Sequence, residues 1–209
     1  MKGSNLTKIS RVFAHLVTHP QHIPSYLSSG PLSAKSPLEH GLPWFSLSAI
    51  HFLDSFVSKS MKVFEYGSGG STVYFANRAG SVVSTEDNKD WLELVQTELA
   101  ASGIANVTLQ YRSFDFHRAE HFEQSDYLCS IPDRAFDIII VDGTEESIPV
   151  RPTCFQHAES RVAPGGIIVV DDSWRYPELR SLNHAKSFRE FRSIGPCRPG
   201  VTSTDVYFY

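Results

Sequence analysis

A glycine-rich segment that begins at Glu65 carries the strongest chemical signal in the sequence. It reads Glu65-Tyr66-Gly67-Ser68-Gly69-Gly70-Ser71-Thr72 and lies between a short apolar stretch and a helical pattern. Glycines at a strand-to-helix turn let the backbone bend sharply and approach a ligand without a Cβ in the way. The helix that follows offers unpaired N–H groups, which Ser71 or Thr72 can cap. The segment therefore predicts a ligand-binding loop.

A second acidic residue, Glu86, ends the next predicted strand. It stands about twenty residues after the loop, the spacing at which nucleotide-binding α/β folds place an acid that accepts hydrogen bonds from ribose hydroxyls. Taken alone, Glu86 is equally well explained as a solvated residue at a strand end. Together with the glycine loop, it predicts a ligand that contains adenosine.

The choice of adenosine ligand depends on two positions in the loop. A dinucleotide fingerprint has a third glycine where this sequence has Thr72. Glu65 stands two residues before the first glycine, where it would repel a pyrophosphate and attract a cationic ammonium or sulfonium group. These two features favour S-adenosylmethionine over NAD.

Three aspartates follow two apolar stretches further along the chain. Asp142 ends one predicted strand, and Asp171 and Asp172 end the next. Ligands of open α/β sheets bind outside the carboxyl ends of the strands, so these carboxylates are candidate ligands for Mg²⁺ or Ca²⁺. Such a metal would orient a substrate hydroxyl and lower its pKa. Two other interpretations stay open: Asp142 approaches the methionine part of the cofactor, and Asp171 or Asp172 caps the next helical turn.

Transfer of a methyl group needs an acceptor held in line and a route for the departing proton. Asp142 and Glu145 are the predicted catalytic residues. His117 and His121 are further candidates for the base, but the sequence contains nine histidines, and a single histidine is more often a surface or packing residue.

The elements that must position these residues alternate in type from Met61 onward. Apolar stretches predict strands, and patterns of helical period lie between the first three of them. The predicted strands are Met61–Tyr66, Ser81–Thr85, Val107–Tyr111, Phe136–Val141 and Gly166–Val170, and the predicted helices are Ser71–Arg78 and Lys89–Ser102. This alternation predicts a doubly wound, Rossmann-like α/β fold.

Both ends of the chain add to this pattern. Helical spacing over residues 6–17 and from Pro43 to about Val57 predicts an N-terminal helical cap over residues 1–60, with residues 61–209 as the ligand-binding domain. Phe188–Ile194 and Ser203–Tyr209, joined by a turn rich in Pro and Gly, predict an antiparallel hairpin at the sheet edge. Trp44 and Phe45 are expected in the core, although a place on the pocket wall stays open.

These motifs together resemble those of class I S-adenosylmethionine-dependent methyltransferases. The segments that carry the resemblance are Glu65-x-Gly67-x-Gly69, Glu86, Phe136-Asp-Ile-Ile-Ile-Val-Asp142-Gly, Pro164-Gly-Gly-Ile-Ile-Val-Val-Asp171-Asp172 and Ser203–Tyr209. The resemblance implies a seven-stranded, mostly parallel sheet of order 3-2-1-4-5-7-6 with strand 7 antiparallel. It also implies that the Gly67–Gly69 loop holds the methionine part, Glu86 the ribose, and the region at Arg112–Ser113 the adenine. The predicted cofactor-binding residues are Glu65, Tyr66, Gly67, Ser68, Gly69, Ser71, Thr72, Glu86, Asp87, Ser113 and Asp142.

Within that family, the pattern is most similar to small-molecule O-methyltransferases that use a metal. In the catechol type, an Asp-Asn pair stands at the position of Asp171-Asp172, and a lysine base stands where this chain has Glu145. The resemblance therefore implies O-methylation of a small molecule. Whether a divalent cation bound by Asp142, Asp171 and Asp172 assists the reaction stays open. Because Glu145 stands in place of this lysine base, a catechol-like mechanism is in doubt.

Composition and charge narrow the choice of partners. The formal net charge is −4 and the basic residues are scattered, which argues against a nucleic-acid partner. The sequence has no apolar segment long enough for a membrane span, and its three cysteines have no metal-ligand spacing, so a cytoplasmic protein is expected. A homodimer stays open, as do two other functions: an NAD-dependent oxidoreductase and a non-catalytic S-adenosylmethionine-binding module. The sequence does not identify the acceptor.

Overall fold

A seven-stranded sheet organises the described part of the protein. The computed structural model describes residues 5–31, 33–116, 119–144 and 149–209. The strands are β1 (Lys62–Tyr66), β2 (Ser81–Glu86), β3 (Val107–Tyr111), β4 (Phe136–Val141), β5 (Val162–Val170), β6 (Ser187–Ile194) and β7 (Val201–Phe208). They lie in the order β3-β2-β1-β4-β5-β7-β6, as predicted.

Strand direction determines which loops meet at the binding edge. Strands β1 to β5 pair in parallel, whereas β7 runs antiparallel to both β5 and β6. Val170 at the end of β5 lies opposite Asp205, which places the beginning of β7 beside the carboxyl end of β5. The turn between β6 and β7 therefore reaches the edge at which parallel sheets bind ligands.

Helices flank the sheet and precede it. They are α1 (Asn5–Thr18), α2 (Ile23–Ser29), α3 (Pro37–His40), α4 (Leu47–Phe56), α5 (Gly70–Ala76), α6 (Lys89–Ala101) and α7 (Val150–Ala158). The predicted helix start at Pro43 is wrong. Helix α4 begins at Leu47, because the Ser46 hydroxyl caps it by accepting a hydrogen bond from the Ala49 N–H at 3.3 Å.

Both faces of the sheet are buried, which explains the unbroken apolar strands. In β4, Ile138 and Ile140 face a core shared with α1, α4 and α5, whereas Ile139 and Val141 face a core shared with α7. A smaller cluster packs α6 against α3 and β3. The sequence pattern of the central strands thus follows from burial on both sides.

The N-terminal segment contributes to the first of these cores. Leu47, Ile50 and Leu53 of α4 are buried in the same cluster as Val169 of β5 and Val206 of β7. The boundary at residue 60 stays a prediction. Within the described residues, no helix has the length and apolar character needed to cross a membrane.

Candidate functional site

The loop after β1 requires glycine at two positions. Gly67 has a φ of 93°, and a Cβ there would lie 2.7 Å from the backbone oxygen of Asp142. Its N–H donates to the Thr85 carbonyl at 2.8 Å, which holds the loop against β2. Gly69 has a φ of 156°, and its N–H donates to the Thr72 hydroxyl at 2.9 Å. The turn is therefore fixed by contacts that a larger residue would disrupt.

Glu65 is a buried carboxyl directly beneath this loop. Its Oε2 accepts hydrogen bonds from the Ser84 hydroxyl at 2.7 Å and from the Thr72 hydroxyl. Its Oε1 is buried and has no hydrogen-bond partner in the described part of the chain. Burial raises the pKa of Glu65 to about 7, although the side chains of Thr72, Ser84 and Ser71 oppose the shift. An unsatisfied buried carboxyl oxygen fits the cationic group of a ligand.

Glu86 closes the other side of the loop. Its Oε2 accepts from the Ser68 hydroxyl at 2.7 Å and from the Ser68 N–H at 3.0 Å. Its Oε1 accepts from the Asn88 N–H at 3.0 Å. Burial raises the pKa of Glu86, and the Ser68 hydroxyl opposes that shift. The Trp91 indole N–H donates to the Ser68 carbonyl at 2.8 Å, so Trp91 braces the loop from α6.

An open pocket of about 470 Å³ lies between this loop and the ends of β4 and β5. Its wall combines acidic residues near the loop with arginines and a tryptophan further away. The lining residues are Trp44, Gly67, Ser68, Glu86, Asp87, Trp91, Asp142, Gly143, Thr144, Arg151, Asp172, Arg175 and Arg198.

Arg151 links the ends of the two central strands from within the protein. Its guanidinium lies 3.0 Å from Asp142 Oδ1 and donates to the backbone carbonyls of Gly143 and Asp171, each at 2.9 Å. The Arg151 side chain is 8% exposed, so these contacts are shielded from water. Asp142 therefore faces the pocket in a position held by a buried arginine.

Arg198 donates hydrogen bonds to two of the aspartates that were predicted to bind a metal. It donates to Asp172 Oδ1 at 2.7 Å and to Asp171 Oδ2 at 3.2 Å. Thr202 donates to Asp172 at 2.7 Å, and Thr204 donates to Asp171 at 2.9 Å. Within the described residues, no group of three or more His, Cys, Asp or Glu side chains is arranged to hold a metal. The donor set therefore does not fit the predicted divalent cation, since its oxygens already bind guanidinium and hydroxyl donors.

Comparison of the sequence with known families gives one match. The sequence model of a family described as methyltransferase domain matches residues 57–195. The chain belongs to this methyltransferase domain family. The predicted resemblance to S-adenosylmethionine-dependent methyltransferases is confirmed, as is the enzyme class. No curated protein matches the sequence.

Solved structures share the fold of this methyltransferase at low sequence identity. A proposed O-methyltransferase from Klebsiella pneumoniae is 17% identical, with 94% of this chain and 98% of that chain covered and a TM-score of 0.65. The O-methyltransferase TomG from Streptomyces achromogenes, in complex with SAM, is 19% identical, with 89% and 95% covered and a TM-score of 0.60. An rRNA methylase from Streptococcus thermophilus is 15% identical, with 84% and 97% covered and a TM-score of 0.53. These likenesses bear on the fold alone.

The structure brings most of the predicted cofactor residues of the methyltransferase together. Asp87 and Asp142 line the pocket with Gly67, Ser68 and Glu86. Ser71 and Thr72 are buried in the first turn of α5 behind the loop. The Tyr66 side chain lies in the core and donates to the Leu128 carbonyl at 2.8 Å, so only its backbone borders the loop.

Other predicted residues lie elsewhere. Ser113 is exposed and does not line this pocket, although the neighbouring Arg112 N–H donates to the Glu86 carbonyl at 2.8 Å. His121 is exposed on a short 3₁₀ segment, also away from the pocket wall. Glu145 and His117 lie outside the described residues.

Sequence reasoning missed two arginines of the pocket wall. Arg151 lies in a helix and Arg198 in the Pro- and Gly-rich turn between β6 and β7, neither of which forms a motif. Only the antiparallel direction of β7 could have indicated Arg198, since it brings this turn to the sheet edge formed by the carboxyl ends of the parallel strands. For Trp44, the core was favoured and the pocket wall was left open; it lines the pocket and is 49% exposed, whereas Phe45 is buried as expected.

Proposed function

We propose that this methyltransferase transfers the methyl group of S-adenosylmethionine to an oxygen of a small molecule. The observation that carries the proposal is the glycine loop held between two buried carboxyls, Glu65 and Glu86, at the mouth of one pocket. When bound, the cofactor supplies a methyl group activated by its sulfonium charge.

The cofactor half of the proposal assigns a role to each side of the loop. Glu65 would hold the ammonium group, because its buried Oε1 lacks a protein partner. Gly67 and Gly69 would let the backbone approach the methionine part. Glu86 would accept hydrogen bonds from the ribose hydroxyls in place of those it now receives from Ser68.

The volume of the pocket and the net charge of the protein support a small-molecule acceptor. A pocket of about 470 Å³ is within the usual range for small-molecule sites. The net charge of −4 gives no electrostatic attraction for a nucleic acid, so the rRNA methylase among the structural neighbours is the weaker guide to the substrate. We take oxygen as the acceptor atom by analogy with the O-methyltransferases among those neighbours.

The residue proposed to accept the proton is Asp142. It lies where the loop and the far end of the pocket meet, and Arg151 fixes its carboxylate at 3.0 Å. A fixed carboxylate next to the acceptor would provide an exit for the proton, which is one of the needs of methyl transfer. Glu145 remains the second predicted catalytic residue.

No step of this proposal passes through a metal. The oxygens of Asp171 and Asp172 accept hydrogen bonds from Arg198, two threonines and the Trp174 indole, so a divalent cation would have to displace these donors. We expect excess EDTA to leave turnover unchanged. A loss of turnover that Mg²⁺ restores would contradict this part of the proposal.

Calorimetric titration with S-adenosylhomocysteine tests the cofactor site. We expect binding by the native protein and a loss of at least about tenfold in affinity for Glu86→Gln, since a charged acceptor of ligand hydroxyls is removed. Glu93→Gln is the matched control, because Glu93 is exposed on α6 and lies outside the pocket. Absence of binding by the folded native protein would overturn the proposal. Release of S-adenosylhomocysteine in the presence of small-molecule extracts then separates an enzyme from a binding module.

A further inference from the structure

Helix α1 has an apolar face that is wider than the part of it that the domain covers. Val12 is buried in the core shared with α4, and Leu16 packs against the same core. Ile9, Phe13 and Val17 are also spaced four apart, so they lie on one side of the helix, and they are 64%, 70% and 64% exposed. Single apolar side chains are common on protein surfaces, whereas a row of three on one helix indicates a surface that contacts a partner.

The segment that contains this exposed stripe has no acidic residue. Residues 1–38 include Lys2, Lys8, Arg11 and Lys35 but neither Asp nor Glu. This acid-free segment therefore has a formal charge of +4 in a chain whose total is −4, so the remaining residues carry −8. The basic residues are few, and the absence of acids is what makes the segment positive. Such a division of charge along a chain favours an anionic partner for the positive part.

A partner for this surface must offer both an apolar layer and negative charge. An anionic lipid bilayer has both, because hydrocarbon lies directly beneath its phosphates. A nucleic acid offers phosphates but no apolar layer that would cover the exposed stripe. A second copy that paired through the same face of α1 would bring two acid-free segments together, and their like charges oppose that contact. The two observations therefore favour a lipid surface.

The geometry of α1 suits a helix that lies in the plane of a membrane surface. The helix has 14 residues and is about 21 Å long, which is too short to cross a bilayer. Arg11 is exposed and lies about 160° around the helix from Phe13, so a basic side chain is on the polar side, as in other interfacial helices. Val12 and Leu16 hold α1 on the domain, so the exposed stripe can meet a surface without any part of the fold opening.

We propose that α1 docks the protein on the surface of an anionic lipid bilayer. Ile9, Phe13 and Val17 enter the boundary between headgroups and acyl chains, and the positive charge of the acid-free segment is attracted to the lipid phosphates. The docking is reversible, because three apolar side chains bury far less area than a membrane-spanning helix. None of the three residues is on the wall of the pocket described above, so this inference does not depend on the proposed function.

Co-sedimentation of the full chain with lipid vesicles tests the proposal. One set of vesicles is phosphatidylcholine alone, and the other is an equal mixture of phosphatidylcholine and the anionic phosphatidylglycerol. We expect binding to the anionic vesicles to be at least about tenfold stronger than to the neutral ones, and to weaken as salt is added.

Four variants separate the apolar contribution from the electrostatic one. Phe13→Ser should weaken binding to the anionic vesicles by about tenfold, and Arg11→Gln by about fivefold. Leu94→Ser is the matched control for the first, because Leu94 is 56% exposed on α6. Arg192→Gln, which removes an exposed arginine of β6, is the control for the second. Neither control should change the binding.

Several results would overturn the proposal. They are no binding to either kind of vesicle, equal binding to both kinds, and binding that Phe13→Ser leaves unchanged. Sedimentation velocity without lipid examines the other occupant: a dimer that Phe13→Ser converts to a monomer, in a protein that does not bind vesicles, assigns the exposed stripe to a second copy. Because the Phe13 and Arg11 side chains are exposed, both variants should keep the urea transition of the native protein, so lost vesicle binding cannot be attributed to unfolding.

Discussion

At the scale of single residues, Glu65 combines an unsatisfied oxygen with a pKa near neutrality. Burial raises this pKa to about 7, so the folded protein without ligand holds Glu65 largely neutral below that pH. A bound ammonium group favours the charged form, so binding of S-adenosylhomocysteine below pH 7 must release a proton. We expect affinity to rise as the pH increases from 5 to 7, by up to about tenfold per pH unit, and to level off above.

Calorimetry in buffers of different ionisation enthalpy measures this proton release directly. Glu65→Gln keeps an oxygen for the Thr72 and Ser84 hydroxyls but does not titrate. It should bind S-adenosylhomocysteine more weakly at pH 7 and with a smaller pH dependence between 5 and 7 than the native protein. Identical pH profiles for the native protein and this variant would show that Glu65 does not contact the ammonium group.

Gly67 supports a second prediction at this scale. Gly67→Ala would place a Cβ 2.7 Å from the Asp142 carbonyl oxygen at a φ of 93°, so both a clash and a strained backbone result. We expect a loss of about 3 kcal/mol in the free energy of unfolding, with loss of cofactor binding. Gly103→Ala is the matched control, because Gly103 also has a positive φ, of 65°, but has open space around it. It should cost about 1 kcal/mol in a urea titration. Equal costs would mean that the close approach to Asp142 does not matter.

At the scale of elements, four histidines connect the first helix to α4. His15 of α1 stacks on His19 and His22, with ring centroids 4.4 and 5.1 Å away, and His51 of α4 meets the edge of His22 at 5.2 Å. His15 and His22 also share a hydrogen bond of 2.8 Å. Burial lowers the pKa of His22 to about 4, and the neighbouring imidazoles lower it further. Protonation would therefore force like charges together around the buried His22.

The sign of this shift gives a prediction about acid stability. The folded state favours neutral His22, so the stabilisation is complete above pH 6.5, the ordinary value, and is lost as the pH falls toward 4. We expect His22 to account for about 1–2 kcal/mol of the stability lost over this range, measured by urea unfolding. His22→Gln should lose correspondingly less, whereas His121→Gln, at an exposed position, should match the native protein. Equal pH dependence in all three proteins would contradict this role of the cluster.

The elements also show which parts of the structure the sequence can predict. Strands β1 and β4 were predicted correctly because an apolar strand buried on both faces leaves an unbroken pattern. The order of the strands came from the family resemblance, not from local pattern. The start of α4 was missed because Ser46 caps it, and Trp44 therefore belongs to a loop. Arg151 and Arg198 act through contacts between distant segments, and such contacts leave no local signal.

At the scale of the whole molecule, the N-terminal segment is part of the sheet's packing. Leu47, Ile50 and Leu53 are buried against β5 and β7, and each such side chain contributes about 2 kcal/mol. A Cβ on Gly70 would lie 2.2 Å from the Leu42 carbonyl oxygen, so the start of α5 fits closely against this segment. By contrast, Ile9 and Phe13 of α1 are mostly exposed, so the first helix contributes less.

These contacts predict that residues 61–209 do not fold alone. Loss of α4 alone would remove about 6 kcal/mol, which is comparable with the entire stability of an ordinary domain. We expect a protein of residues 61–209 to lack a cooperative urea transition and near-ultraviolet circular dichroism. A protein of residues 34–209, which keeps α3 and α4, should unfold cooperatively at a lower urea concentration than the full chain. If residues 61–209 unfold cooperatively and bind S-adenosylhomocysteine as the full chain does, the N-terminal segment is a separable cap. Otherwise it is a structural layer of the domain that also supplies Trp44 to the pocket wall.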